Sequence, residues 1–284
     1  MTLRPIYDVI HSGQTAAQLR SDMANSEHDP RSISALFEAL LQSDDDAAWE
    51  AVAALHWRGT KEVLNRAIAL ITSVDPIVRS RAVGVLGQLG VPERTFPDEC
   101  FCALLPLLNE EIEPVMMEAI FALQHIDRVR AASYVTPLAD HENENIRYAV
   151  AFALGAVDTP EANATLLALM SDRDAEVRNW ATFGIGQQSD ADTDQIRSEL
   201  AARLTDEDSD VRYEAIIGLG RRRDRQAVGY LKTILHNDPD DIFAREATAK
   251  LLGMDDSGEL TTSELLGALQ RFQRWSGNGG PPHI

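Results

Sequence analysis

The sequence predicts an all-α fold, an α-solenoid of stacked antiparallel helix pairs. The stretch at residues 172–188, DRDAEVRNWATFGIGQQ, recurs with variation along most of the chain. Its apolar residues return at the spacing of one helix face, and the alternation typical of strands is nearly absent. Copies that recur at this period indicate a solenoid, because no single repeat can bury its own apolar face.

Each copy has an apolar anchor that Arg often follows, and a second apolar position eight residues later. The pairs are Val78/Leu86, Val115/Leu123, Ile146/Leu154, Val177/Ile185, Val211/Leu219 and Ala244/Leu252, with a weaker copy at Ala47/Leu55. Successive strong anchors lie 31–37 residues apart. The period therefore accounts for the chain from about residue 30 to residue 253.

Polar residues around each anchor predict how the helices begin and how the repeats stack. An acid or amide stands three places before the anchor, where it can cap the helix: Asp75, Asn143, Asp174, Asp208 and Asp241. Arginine follows the anchor at Arg79, Arg147, Arg178, Arg212 and Arg245. We expect each arginine to join its own turn to the acidic turn of a neighbouring repeat, which is a structural role.

The pattern divides one elongated domain into four segments. Residues 1–28 are predicted to form an N-terminal helical cap, and residues 29–253 about seven repeats. Residues 254–275 are predicted to form a loop and a capping helix, with Thr261 and Glu264 spaced as in a capping box. Residues 276–284 form a Gly- and Pro-rich tail that we expect to be disordered. Within the repeats, the consensus is lost at residues 112–116, EIEPVMM in context.

The net charge of −19 favours a basic partner and disfavours nucleic acid and anionic membranes. Cys100 and Cys102 are expected on different faces of one helix, so a disulfide between them is not predicted. Arg4, Pro5 and Asp8 interrupt any apolar run at the start, and no stretch is long and apolar enough to span a bilayer. The expected location is the cytoplasm, and the expected state is a monomer.

No local pattern for catalysis, for a metal or for a cofactor is present. The seven histidines are scattered over several repeats, and there is no phosphate-binding loop, HExxH or CxxC. The chain is therefore expected not to be an enzyme and to need no cofactor, although lyase-type activity stays open. The one basic cluster, residues 221–225, is expected to be a solvated turn that meets a helix end and neighbouring acids.

The candidate site is a partner-binding surface on the second helix of each repeat. Offsets +2, +3, +6 and +10 from the anchor are expected to line the concave side, and they hold many of the aromatic residues. The candidates are Trp49, Glu50, Trp57, Arg81, Glu118, His125, Tyr148, Asn179, Trp180, Gln187, Tyr213, Glu214 and Arg221. The alternative is that the large residues, above all Phe152 and Phe183, pack against the adjacent repeat. Tryptophan and tyrosine favour a binding surface, since both are enriched at binding hot spots.

With the motif DxxVRxxAxxxLG assembled, the chain resembles the HEAT-repeat superfamily, which implies a HEAT-like superhelix. The resemblance is greatest to the short repeats of phycobilin-lyase HEAT proteins. The run VRNWATFGIGQQSDADTDQIRSELAARLTDEDSDVRYEAIIGLGRRRD is similar to bacterial HEAT proteins encoded beside Rhs-type polymorphic toxins. Those proteins are regarded as immunity proteins.

The resemblance implies a non-enzymatic scaffold that binds and neutralises a toxin domain through its acidic, aromatic-bearing concave face. The alternative that it leaves open is a phycobilin-lyase-like or chaperone-type subunit. Diiron HEAT hydroxylases fit less well, because they use several His-Glu pairs and this chain has only His141-Glu142.

Overall fold

The structure is a computed structural model that describes residues 26–254, 258 and 260–274. The described residues form fourteen α-helices and no strand, which confirms the all-α prediction. Contacts within the chain divide it into two compact units, unit 1 (residues 1–137) and unit 2 (residues 138–284). Most of the predicted N-terminal cap and all of the predicted tail lie outside the described residues, so these segments stay predictions.

Unit 1 contains six described helices. They are α1 (Ile33–Leu40), α2 (Asp45–His56), α3 (Lys61–Leu70), α4 (Pro76–Gly87), α5 (Pro97–Leu104) and α6 (Glu113–Val135). Asp127 interrupts α6, because its φ of −155° and ψ of 95° are not helical. The second helices of the repeats, α2, α4 and α6, pack side by side in that order.

Unit 2 contains eight described helices. They are α7 (Glu144–Leu154), α8 (Pro160–Leu169), α9 (Ala175–Phe183), α10 (Asp194–Arg203), α11 (Ser209–Arg221), α12 (Ala227–Asn237), α13 (Ile242–Leu252) and α14 (Thr262–Arg274). A π-helical turn, Gly184–Gln188, continues α9. The second helices α7, α9, α11 and α13 pack side by side. They approach closely at Gly218, where an added Cβ would lie 2.7 Å from the Cα of Gly186.

The anchors and caps lie where the sequence pattern predicted them. Both members of all six strong anchor pairs are buried, and in the weak pair Leu55 is buried while Ala47 is half-buried. The Asp174 side chain accepts bonds from the backbone N–H groups of Glu176 and Val177, at 3.0 and 3.1 Å. The capping box of α14 is also confirmed, since Glu264 Oε2 accepts from the backbone N–H of Thr261 at 2.8 Å. Local chemistry therefore sets the helix starts.

Arg147 and Arg178 form the predicted ladder of turn-to-turn bonds, whereas Arg212 donates to carbonyls of its own turn, because Pro239 stands where the acid of the next turn would be. Arg178 donates to the carbonyls of Asp172 and Arg173 in its own turn and to both carboxylate oxygens of Asp206 in the next, at 2.8 and 3.0 Å. Arg147 likewise donates to two carbonyls of its own turn and to both oxygens of Asp172. Burial alone would raise the pKa of Asp206, but the hydrogen bonds from Arg178 lower it below its usual value.

The ladder has one further ion pair in unit 1 and a gap beside it. Arg79 Nε lies 3.0 Å from Glu110 Oε2, and Arg79 Nη1 donates to the carbonyl of Ser73. One repeat earlier, the equivalent of the arginine is Ala48, and the equivalent of the acid is Ser73. The ion pair that would join the turn before α2 to the turn before α4 is therefore missing.

Candidate protein-binding surface

A cluster of four aromatic side chains lies on the second helices of unit 2. We call Tyr148, Phe152, Trp180 and Phe183 the aromatic cluster. The Trp180 ring is at its centre, with ring centroids 5.8 Å from Tyr148, 4.9 Å from Phe152 and 5.5 Å from Phe183. Trp180 remains partly exposed, and its Nε1 donates to Glu176 Oε1 at 3.0 Å. The cluster thus packs between α7 and α9 and also presents aromatic surface to solvent.

Polar groups flank the aromatic cluster on α9 and α11. Gln187 Nε2 donates to Glu214 Oε2 at 2.6 Å. Burial raises the pKa of the Glu214 carboxyl, and this effect is larger than the lowering by the hydrogen bond from Gln187. The Oδ1 of Asn179 is buried and has no hydrogen-bond partner among the described residues. Apolar rings beside carboxylates form a surface suited to a polar and basic protein.

The predicted residues further along α11 are engaged within the fold. Tyr213 is half-buried; its hydroxyl donates to Asp241 Oδ2 at 3.0 Å, and this bond raises the pKa of Tyr213. Its ring centroid lies 5.3 Å from that of Phe243, whose side chain is 44% exposed. Arg221 donates to the carbonyl of Gly186 and to Asp190. Phe243 was not among the predicted residues. It stands between the capping Asp241 and the anchor Ala244, outside the apolar periodicity from which the candidates were chosen.

In unit 1, the predicted residues are spread over α2, α4 and α6. Glu50 is exposed, and Trp49 and Trp57 are half-buried. Trp49 packs against α4, since a Cβ added to Gly84 would lie 3.1 Å from its ring. Burial lowers the pKa of His125 to about 4, which keeps this side chain neutral at pH 7.

Three of the predicted contact residues are buried and cannot form a contact surface: Arg81, Glu118 and Tyr148 are 3%, 4% and 5% exposed. Tyr148 is covered by Trp180 of the next repeat, as the packing alternative predicted for large residues at these offsets. Burial raises the pKa of Glu118 to about 8, and its Oε1 has no partner among the described residues.

Arg81 is buried because it takes over part of the missing ladder contact. Its Nη1 donates to the carbonyls of Leu40 and Gln42, at 2.7 and 2.8 Å, and its Nη2 donates to Asp45 Oδ1 at 2.9 Å. Ladder arginines bond to the carbonyls five and six residues before them, so an arginine at position 48 would reach the carbonyls of residues 42 and 43. Arg81 reaches that same turn from α4. Its role is therefore structural.

The sequence predicted a solvated turn for the basic cluster at residues 221–225, but one of its arginines, Arg222, is buried. Arg222 is 9% exposed, and its Nη2 donates to the carbonyls of Ile185, Ser189 and Ala191, at 2.8, 3.1 and 2.8 Å. Burial lowers the pKa of its guanidinium. Arg222 thus satisfies the carbonyl end of the π-helical turn in the preceding repeat, and it is not available to an external anion.

The described part of the chain contains neither a cluster of metal ligands nor a membrane-spanning helix. No group of three or more His, Cys, Asp or Glu side chains is placed to hold a metal ion there. No helix within the described ranges is both long and apolar enough to cross a membrane. Cys100 and Cys102 are free thiols, the first buried and the second exposed.

The repeated helix pairs and stacked second helices define an α-helical repeat protein. The family model for HEAT repeats matches residues 102–186 and 163–253, which together are more than half of the chain. The chain belongs to the HEAT-repeat family. Among curated proteins, a sequence search finds no match.

Solved structures include several that are similar in fold. The X-ray structure of YibA from E. coli superposes with a TM-score of 0.74 at 23% sequence identity, covering 93% of this chain and 99% of that chain. The archaeal HEAT-like repeats protein from Thermococcus onnurineus NA1 gives a TM-score of 0.49 at 16% identity, covering 85% and 99%. The complex of CpcE and CpcF of phycocyanin lyase from Nostoc sp. PCC7120 gives 0.46 at 18% identity, covering 85% and 96%.

Proposed function

We propose that this HEAT-repeat chain is a non-enzymatic scaffold that binds a basic protein, and that its partner is a toxin domain which it neutralises. The observation that carries the proposal is the aromatic cluster of unit 2. Trp180 is held by three rings and by Glu176, yet part of its indole faces solvent. A rigid aromatic side chain loses little entropy on binding, and such residues dominate binding energy at interfaces.

The charge of the chain supports a basic partner. The net charge is −19, and carboxylates lie beside the aromatic cluster at Glu176 and Glu214. Acidic charge of this size speeds the encounter with a basic protein and repels nucleic acid. The proposal that the partner is a toxin rests on the sequence similarity to proteins encoded beside Rhs-type toxins.

The test is co-expression of the chain with the product of the adjacent gene in a heterologous bacterium. If that product is the toxin, growth stops when it is expressed alone and resumes when the chain is present. The purified proteins should form a complex that weakens as ionic strength rises, because screening removes part of the electrostatic attraction. Absence of both rescue and complex would overturn the proposal.

Variants of the surface locate the interface. Trp180→Ala is expected to weaken the complex by about ten-fold or more, the effect of removing a hot-spot side chain. Asn179→Ala is a second variant with little expected cost to the fold, because Asn179 Oδ1 has no partner to lose. Tyr230→Ala is the matched control, since Tyr230 is 39% exposed in unit 2 but lies on the first helix of its pair. Equal affinity for all three variants would place the interface elsewhere.

The phycobilin-lyase-like alternative has no support from a specific feature of the described residues. Absorbance of the chain after incubation with free bilins tests it, and bound or transferred pigment would favour that alternative.

A further inference from the structure

Unit 1 contains an apolar cleft at the ends of its second helices. Its volume is about 380 Å³, and its apolar lining includes Leu41, Ile77, Val78, Ile112, Pro114 and Val115. Leu41 and Ile112 are 50% and 41% exposed, so both leave apolar surface in contact with water at this cleft. The volume lies within the roughly 300–1,000 Å³ of ligand-binding clefts.

The cleft opens where the arginine ladder is interrupted. Between the turns before α2 and α4, Ala48 and Ser73 stand in place of the expected arginine and acid, so the ladder ion pair is missing there. Arg81 borders the cleft but is held by the carbonyls of Leu40 and Gln42 and by Asp45, which fixes its guanidinium in place. The turn before α6 closes the other side with Ile112 and Pro114.

The charge around the cleft is strongly acidic. Two segments that border it, residues 41–46 and 110–115, contain six acids and no Lys or Arg. The two nearby arginines, Arg79 and Arg81, are already paired with Glu110 and Asp45. An occupant that is apolar at its centre and basic at its edges matches both the lining and the rim.

We propose that this cleft in unit 1 is a docking site for a protein segment that inserts one large apolar side chain and places Lys or Arg residues against the acidic rim. The proposal deepens the proposed function and rests on it for the biological partner, since it assigns a second contact to the same basic protein. The apolar side chain enters between Leu41 and Ile112 and covers their exposed surfaces. The basic side chains meet the carboxylates of residues 44–46 and 110–113.

Short labelled peptides test the site directly by fluorescence anisotropy with the full chain. The first peptide has a central Phe flanked by Lys and Arg, the second has Ser in place of Phe, and the third has Glu in place of every Lys and Arg. We expect the first peptide to bind and the other two to bind at least about ten-fold more weakly, as expected when an anchor or its charge complement is removed.

A pair of double variants separates the cleft from general surface effects. The cleft variant combines Leu41→Gln with Ile112→Gln, and the matched control combines Val74→Gln with Val129→Gln. Val74 and Val129 are 99% and 67% exposed in the same unit but do not line the cleft. The cleft variant should lose about ten-fold or more in affinity for the first peptide, while the control keeps the wild-type affinity. All four positions are exposed, so both double variants should fold.

Peptide affinities and the oligomeric state of the chain can each overturn the docking site. Equal binding of the Phe and Ser peptides, or equal affinity of the cleft variant and the wild type, rules it out. Dimerisation of the chain that the cleft variant abolishes would assign the cleft to a second copy instead. Peptide binding at the cleft without rescue of growth in the co-expression test would remove the toxin function and leave the docking site standing.

Discussion

The two units are built from the same helix pairs but treat their buried polar groups differently. In unit 2, the buried arginines of the ladder meet buried acids, as in the pairs Arg147 with Asp172 and Arg178 with Asp206. In unit 1, several buried atoms have no hydrogen-bond partner in the described chain, namely Glu118 Oε1, both amide atoms of Gln124 and His125 Nε2. Unit 2 also has such atoms, for example Asn179 Oδ1, but its ladder carboxylates are paired. Unit 2 therefore uses its charges to hold neighbouring repeats, and unit 1 does so only in part.

One repeat motif can therefore provide either a structural joint or an opening. Where Arg and an acid are both present, a bidentate bond fills the space between successive turns. Where they are replaced by Ala48 and Ser73, the space is bordered by apolar side chains and acidic segments. A surface for a partner can thus arise from losing a structural contact.

We expect the greatest loss of stability from Arg178→Ala in unit 2. The change leaves Asp206 buried without its partner, so the free energy of unfolding should fall by about 3–5 kcal/mol. Urea denaturation followed by circular dichroism measures it. Arg212→Ala is the control, because Arg212 is half-buried and donates to carbonyls of its own turn. Similar losses for both variants would show that the buried ion pair adds nothing.

A smaller effect, which depends on pH, is expected from Glu118→Gln in unit 1. The pKa of Glu118 is raised to about 8, so the protonated carboxyl favours the folded state and stability is lost as pH rises from the ordinary value of 4.5 through 8. The uncharged Gln removes this loss, so the stability advantage of the variant over the wild type should grow by about 2 kcal/mol between pH 6.5 and pH 8.5.

Thermal unfolding at pH 6.5 and pH 8.5 checks the prediction for Glu118. Burial lowers the pKa of both His56 and His125 to about 4, so their contribution is lost only as pH falls from 6.5 toward 4. Above pH 6.5 these histidines are neutral in both states, and the difference between variant and wild type reports Glu118 alone. An equal difference at both pH values would contradict the prediction.

The smallest of these stability effects is expected from Arg81→Ala. The carbonyls of Leu40 and Gln42 lose their donor, which should cost about 1–2 kcal/mol. Asp45 is 47% exposed, so water replaces the guanidinium there and the loss stays below that of Arg178→Ala. Urea denaturation of the two variants side by side makes the comparison. If Arg81→Ala lowers the free energy of unfolding as much as Arg178→Ala does, the bonds of Arg81 stabilise unit 1 as strongly as the ladder stabilises unit 2.

Much of the fold could be predicted because the relevant interactions are local in the sequence. Apolar anchors such as Val177 and Ile185 follow from helical spacing, and the cap by Asp174 follows from its distance to the anchor. The ladder could also be predicted, because an arginine and an acid at fixed offsets must meet once the repeats stack. The repeat period and these fixed offsets were sufficient for the predictions.

The candidate site was less predictable, because exposure depends on which side chain the neighbouring repeat supplies. Tyr148 stands at an offset that faces outward, but Trp180 of the next repeat covers it. Arg81 also stands at such an offset, and it is drawn into a turn that Ala48 leaves unsatisfied. The lost consensus at residues 112–116 was visible in the sequence, yet only the structure shows that Ile112 borders a cleft.

The arginine ladder also has a consequence for how unit 2 loses its structure. Arg178 bonds to the turn of its own repeat and to that of the next, so neither turn can open without breaking bonds in the other. In a linear array, such nearest-neighbour coupling makes adjacent repeats unfold together. Fraying from one end is suppressed along the arginine pairs, whereas the first turn of α2 is coupled to the next repeat through Arg81 and not through a ladder pair.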